Sequence, residues 1–222
     1  MKTSTEQFTP ALGRPGFTPL YDAAVRLLTR ERAWRSALVQ QIDLRDGERL
    51  LDVGCGTGSL AILLKKSMPG ATVVGMDPDP RILGIAAQKA KAAGVEIEWR
   101  EGFARSADAE PEAFDKVVSS LVFHQVPPSE KAVGIEAMHR AARVGGSIHI
   151  ADYAMQRTGL MRTLFKVIQR LDGKENTQAN ADGALERLLE GGATGAGQAT
   201  RSFRTPTGEI SLFWMTRSAD HG

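Results

Sequence analysis

The segment RLLDVGCGTGSLAILL, Arg49 to Leu64, narrows the fold more than any other stretch of the chain. Its first five residues are a short apolar run of the kind that forms a buried strand, and its last residues repeat apolar positions at helical spacing. Between them Gly54, Gly56 and Gly58 stand in alternate positions. A strand that passes into a helix through so short a loop opens a βαβ unit. Glycines there permit positive φ and let a ligand approach the backbone closely, although a plain tight turn has the same composition. Two familiar loops are excluded by spacing. A phosphate-cradling loop ends in Gly-Lys-Ser/Thr, and this one continues Gly58-Ser59-Leu60. The dinucleotide pattern G-x-G-x-x-G needs glycine where the chain has Ser59, so what remains is G-x-G-x-G preceded by Asp52.

The second half of the unit favours a nucleotide site over a bare turn. The apolar run ATVVGMD ends in Asp77, about 20 residues past the last glycine, where an acid at the tip of the second strand meets ribose hydroxyls. A carboxylate suits a diol because it accepts two hydrogen bonds at once. Asp79 is placed to cap the helix that begins near Pro80, which leaves Asp77 for the ribose.

The remaining pattern is an alternation of strands and helices. A helix is expected from about Leu20 to Ile42, with Trp34, Leu38 and Ile42 on one face. A third strand is expected in VEIEW, a fourth in FDKVVSS and a fifth in GGSIHIADY, with helices after the second and fourth; Ser129 is the expected cap of the latter. This is the signature of a parallel sheet with helices on its faces. After Tyr153 the rhythm changes to two amphipathic helices, TGLMRTLFKVIQRLDG and ADGALERLLEGG, and then two strands around a Thr-Gly turn, necessarily antiparallel to each other. Residues 1–19 read as an arm or lid and 155–191 as a helical cap inserted into a single domain spanning 1–222.

Composition sets limits. The 28 bases and 26 acids leave a net charge of only +2, which gives no general pull toward nucleic acid. The single cysteine, Cys55, excludes an internal disulfide framework and any multi-cysteine zinc site, and no metal is expected. No signal-peptide core and no apolar window long enough to span a bilayer is present, so a cytoplasmic protein without a membrane span is expected.

Four segments in order, LLDVGCGTG, VVGMD, FDKVVSSLVFHQV and AARVGGSIHIADY, resemble the motifs of the Rossmann-like (class I) S-adenosylmethionine-dependent methyltransferases, over roughly residues 20–216. The resemblance is to their small-molecule branch, which includes quinone-biosynthesis and sterol enzymes. It implies a three-layer α/β sandwich with a seven-stranded, mostly parallel sheet in the order 3-2-1-4-5-7-6, ending in an antiparallel hairpin. It further implies S-adenosyl-L-methionine as cofactor. Asp52, Gly54, Cys55, Gly56 and Gly58 would hold its methionine part, and Asp77 and Pro78 its ribose. Ser120 and Leu121 would line the methionine side, and Tyr21 with Phe17 would fold over as a lid. After strand three the family shows Gly-Asp-Ala, whose aspartate binds the adenine amine. This chain has Gly102-Phe103-Ala104; a phenylalanine can pack on adenine but cannot accept that hydrogen bond, and Asp108 is the nearest alternative acceptor.

Methyl transfer is an in-line displacement at an activated sulfonium, so approach and alignment matter most. His124, after strand four, is the candidate general base; a structural or cofactor-contacting histidine is the competing reading. His139 and His149 read as structural. The acceptor is expected to be a small apolar or aromatic metabolite. The Asn/Asp-Pro-Pro-Tyr motif of nucleic-acid and glutamine methyltransferases is replaced by SSLVFHQVPP, and the row Arg162, Lys166, Arg170 reads as a solvated helix face. An RNA or protein methyltransferase, a nicotinamide dehydrogenase, and a non-catalytic cofactor-binding regulator or partner subunit remain alternatives. Leu160, Met161, Leu164, Phe165 and Ile168 form one apolar stripe, which either lines the acceptor pocket or packs on the sheet or on a second subunit of a homodimer.

Overall fold

The computed structural model describes residues 30–191 and 198–218. In chain order they form α1 (Glu31–Ile42), β1 (Arg49–Val53), α2 (Ser59–Ser67), β2 (Thr72–Asp77), α3 (Pro80–Ala92), β3 (Glu98–Glu101), a 3-10 turn (Ala104–Ala109), β4 (Phe114–Ser120), α4 (Pro128–Ala141), β5 (Ala142–Tyr153), α5 (Gly159–Asp172), α6 (Lys174–Ala181), α7 (Ala184–Gly191), β6 (Gln198–Thr205) and β7 (Gly208–Thr216). The strands make one seven-stranded sheet in the order β3-β2-β1-β4-β5-β7-β6. β1 to β5 are parallel, β7 runs antiparallel to β5, and β6 pairs antiparallel with β7. The expected order and hairpin are those observed.

Because the central strands are covered on both faces, their residues alternate between two cores rather than between core and water. Leu51, Val53, Val74, Val117, Ile148, Ile150 and Phe213 join α4 and α7 on one side. Leu50, Val73, Val118, Ala151, Ile210 and Leu212 join α1, α2 and α5 on the other. Trp34, Leu38 and Ile42, the expected face of α1, are fully excluded from solvent, each worth about 2–3 kcal/mol of apolar burial. The proposed start of that helix near Leu20, the arm at 1–19, and Tyr21 and Phe17 lie outside the described residues.

Two local expectations are corrected, and one helix was not anticipated. β3 begins at Glu98, not Val95, because the Val95 N–H is spent on Ala90 O (3.1 Å) in closing α3 and pairing with β2 starts only at Glu98. α4 starts on Pro128, whose fixed φ and missing donor suit the first helical position, so Ser129 lies inside the first turn and caps nothing. α6, KENTQANA, has almost no apolar signal. It is held by tertiary contact: Asn180 Nδ2 donates to Tyr153 O (2.9 Å), and Thr177, Asn180 and Ala181 are buried.

Candidate functional site

The three loop glycines, all at positive φ, have different roles. A Cβ on Gly54 would lie 2.4 Å from Val122 Cγ2, and one on Gly58 would lie 2.5 Å from the Trp99 ring. Both glycines therefore let neighbouring elements close on the loop. A Cβ on Gly56 would meet nothing within 4 Å, so this is the position left open for a ligand's approach. Trp99 of β3 also lies over Gly75, filling the space beneath the loop. Lys89 Nζ, from the last turn of α3, donates to Thr57 Oγ1 (2.8 Å) and Ser59 Oγ (2.9 Å) and ties the loop down. Sequence reading singled out neither Trp99 nor Lys89. Only the fold brings them under the glycines.

Two carboxylates flank this loop. Asp77, at the end of β2, accepts the Gly56 N–H on Oδ2 (3.0 Å) and the Asp79 N–H on Oδ1 (3.0 Å), leaving a lone pair on each oxygen. Burial raises its pKa. Asp79 caps α3 as expected, accepting from Arg81 N (2.9 Å). Asp52 is more unusual. It is fully buried, and neither oxygen has a partner at normal hydrogen-bond geometry among the described residues; the backbone N–H of Ala61 gives it only a weak pull. Burial pushes its pKa up to about 7, against the pull of the Arg35 guanidinium. A carboxylate kept dry and unsatisfied costs stability and calls for a cationic donor. Between them lies Cys55, whose thiol is pushed up by burial and is no thiolate nucleophile. Pro78 and Gly102 complete the β2–β3 rim, where Gly102 N–H donates to Asp77 O (3.2 Å).

After β3, Phe103 is half-buried under the Arg105 guanidinium, 4.4 Å from its ring centroid, and Ala104 opens the 3-10 turn against Gly134 of α4. Asp108 does not turn toward the site; its carboxylate accepts from Arg140 Nε (2.7 Å), so the alternative acceptor suggested by sequence is already committed to α4.

The β4–β5 side is organised by Asp152. This buried carboxylate at the end of β5 accepts the backbone N–H groups of Val122 (3.0 Å), Phe123 (2.6 Å) and Tyr153 (2.7 Å), and Nδ1 of His124 (2.7 Å). It fixes the loop that follows β4, where Ser120 is half-buried and Leu121 takes φ +56, an uncommon value for leucine. Lys131 reaches the same loop from α4 and donates to Phe123 O; burial lowers its pKa to about 8. His124 is buried, with Nε2 3.3 Å from Asp172 Oδ2 at the end of α5 and its ring edge-on to Tyr153. Burial favours the neutral ring, but Asp152 and then Asp172 overcome it and raise the pKa to about 9. Both nitrogens face acids, Nδ1 that of Asp152 and Nε2 that of Asp172, and the ring so held ties α5 to the sheet. His149 is buried too, its pKa lowered to about 3 by desolvation, with Ser147 Oγ 2.9 Å from Nε2.

The apolar stripe of α5 is divided. Met161, Phe165 and Ile168 are buried on the sheet, with Phe165 5.1 Å from the Tyr153 ring, whereas Leu160 is 65% exposed. The buried half packs on the sheet, as the second of the two readings has it.

Taken together, the site offers a carboxylate in need of a cation, a second with lone pairs free for hydroxyls, and an open backbone at Gly56 between them. S-adenosylmethionine carries an ammonium, a sulfonium and a ribose diol, and these residues fit it. A methyltransferase-domain family model matches residues 50–146. Demethylmenaquinone methyltransferase of Thermus thermophilus is 34% identical over 151 residues, covering 67% of this chain and 68% of that protein. The Deinococcus radiodurans enzyme of the same name is 31% identical, over 67% of this chain and 62% of its own length. Among solved structures, a methyltransferase from Aquifex aeolicus superposes with TM-score 0.66 at 16% identity, covering 90% of this chain and 96% of its own. Magnesium protoporphyrin IX methyltransferase of Synechocystis, solved with S-adenosylhomocysteine, gives 0.63 at 22% identity over 93% of this chain and 90% of its own. At such identities these two speak for the fold. Sequence relatives, fold and site geometry agree: the chain belongs to the class I, Rossmann-like S-adenosylmethionine-dependent methyltransferases.

Proposed function

We propose that the protein methylates a small, largely apolar aromatic acceptor of the quinol class, with the cofactor held between Asp52 and Asp77. The observation that carries the cofactor half is the fully buried, unpartnered carboxylate of Asp52 beside the open backbone at Gly56. The relatives named for demethylmenaquinone support the acceptor half. Bound there, the cofactor supplies an electrophilic methyl on a sulfonium that needs no further activation. Asp52 receives the ammonium and Asp77 the ribose hydroxyls. Phe103 offers an apolar surface to the base. The loop from Ser120 to His124, held by Asp152, sets the wall against which the acceptor aligns. With His124 committed to two acids, the reaction relies on alignment and on an acceptor already nucleophilic at carbon or oxygen, as an ionised quinol is.

The test is transfer of labelled methyl from S-adenosylmethionine to a panel of reduced naphthoquinones and benzoquinones, with nucleic acid and protein fractions in parallel. Turnover of a quinol, lost when the quinol is oxidised, is expected. Label appearing only in macromolecules, or no transfer while cofactor binds tightly, would exclude this reading.

A further inference from the structure

Helix α5 has a second apolar face that the described residues leave exposed. Leu160, Leu164, Val167 and Leu171 are spaced i, i+4, i+7, i+11, and Leu160, Val167 and Leu171 are 65%, 42% and 58% exposed. The buried face, Met161, Phe165 and Ile168, already holds the helix on the sheet. The outward stripe is thus surplus to folding and exposes large side chains at a cost in water. Charge around it is one-sided. Between residues 157 and 174 the chain carries Arg157, Arg162, Lys166, Arg170 and Lys174, and the only acid is Asp172. Asp172 is turned inward onto His124, and Arg162 pairs with Asp182. Lys166 and Arg170 are exposed and make no ion pair among the described residues. An outward apolar stripe beside uncompensated bases is the pattern of a helix lying in a membrane interface. A second copy of the chain is a poorer occupant. A stable dimer buries roughly 800 Å² per partner, more than one stripe of four side chains offers, and it would bring two basic rows together.

We propose that α5 docks the protein on an anionic lipid surface, with Leu160, Leu164, Val167 and Leu171 in the headgroup boundary and Lys166 and Arg170 on lipid phosphates. Because α5 is anchored on Tyr153 at the carboxyl-terminal end of β5 through Phe165 and on His124 of the β4 loop through Asp172, such docking brings the methyl-transfer face to the bilayer. An apolar acceptor could then enter without crossing water. The docking deepens the reading of an apolar acceptor and rests on it only for that purpose; lipid binding itself is measured without acceptor or cofactor.

The experiment is co-sedimentation of the full chain with vesicles of phosphatidylcholine alone and of phosphatidylcholine mixed with phosphatidylglycerol, at low and high salt. Binding to the mixed vesicles, reversed by salt, is expected. Lys166→Glu with Arg170→Glu should weaken it by at least about tenfold, and Leu160→Gln with Leu171→Gln should weaken it comparably, with turnover of a water-soluble acceptor unchanged in both. Failure to bind, equal binding to both vesicle types, or variants that sediment like the parent would overturn the proposal. So would concentration-dependent self-association that the leucine substitutions abolish, which would assign the face to a second copy. Vesicle binding with no methyl transfer to any quinol would leave the docking standing and remove the acceptor reading.

Discussion

Replacing Asp52 by asparagine separates the cost of the buried carboxylate from its use. Asp52 titrates near 7 in the folded protein against an ordinary 3.8, so its ionised form is disfavoured by a ceiling of about 4 kcal/mol. The sign follows from the direction of the shift. The folded state holds the proton more tightly than the unfolded one, so this residue's penalty is absent below the ordinary carboxylate range, grows as pH rises toward 7, and is complete above it. Asp52→Asn removes the titration. In thermal or denaturant unfolding without cofactor, the variant should gain on the parent as pH is raised from about 5 to about 9. Cofactor binding should respond oppositely. An ammonium meets a carboxylate only when Asp52 is ionised, so the parent's affinity should fall as pH drops through 7. Asp52→Asn should bind about 10–100-fold more weakly at pH 8, the worth of one hydrogen bond to a charged group, and should show little pH dependence. Calorimetry in buffers of different ionisation enthalpy should detect a proton released on binding near pH 7 by the parent alone. A parent whose affinity is flat across that range, or a variant that binds like the parent, would refute the assignment of Asp52 to the cofactor's cation.

Asp77→Ala should weaken cofactor binding by about 1.5–3 kcal/mol, read by calorimetry; unchanged affinity would remove the ribose assignment. Gly58→Ala should lower stability by about 2–3 kcal/mol through positive φ and the Trp99 contact, whereas Gly56→Ala, strained by its positive φ but free of any clash, should cost only about 1 kcal/mol yet lose cofactor binding. The raised pKa of His124, about 9 against 6.5, places about 3 kcal/mol of stability in full below about 6.5, lost as pH rises through 9. Asp172→Asn should reduce that pH-dependent loss in unfolding curves, and the pH–rate profile should show no acidic limb near 6.5 from His124.

The legible parts of the fold are those where local pattern and tertiary environment ask for the same residues. RLLDV, VVGMD and FDKVVSS carry apolar runs because both faces of a central parallel strand are buried, so their existence and ends can be read from the pattern, whereas their order in the sheet came only from the family resemblance. α6 is the opposite case. Its helix is secured by Asn180 on Tyr153 O and by buried Thr177, and polar residues that serve a tertiary contact look in sequence like those of a loop. The α5 stripe was legible as a stripe. Its division into a face on the sheet and a face on solvent depends on where the sheet edge lies, which periodicity does not encode.

At the site, the placement of Asp77 at the end of β2 and of the glycines between β1 and α2 was legible because their spacing is set by the βαβ unit itself, while the surroundings of His124 were not, because nothing local in sequence places Asp152 and Asp172 beside it. In the fold it lies between two carboxylates, and both of its nitrogens are occupied. The contrast with Asp52 is instructive. Asp152 has four donors, three of them backbone N–H groups, and with His124 and Asp172 it forms a saturated network whose electrostatic energy goes into holding the β4 loop and α5. Asp52, four residues before Gly56, has no donor at normal hydrogen-bond geometry among the described residues and only a weak pull from the Ala61 N–H. A protein selected only for stability would pair or replace that carboxylate, since an apolar side chain of its size would fit a dry position on β1 at lower cost. Its retention without a partner places the unspent attraction where a cation must arrive. On the proposed function, the saturated acid cluster fixes the geometry of the β4 loop and α5, and Asp52 would supply affinity that appears only when a cation is bound.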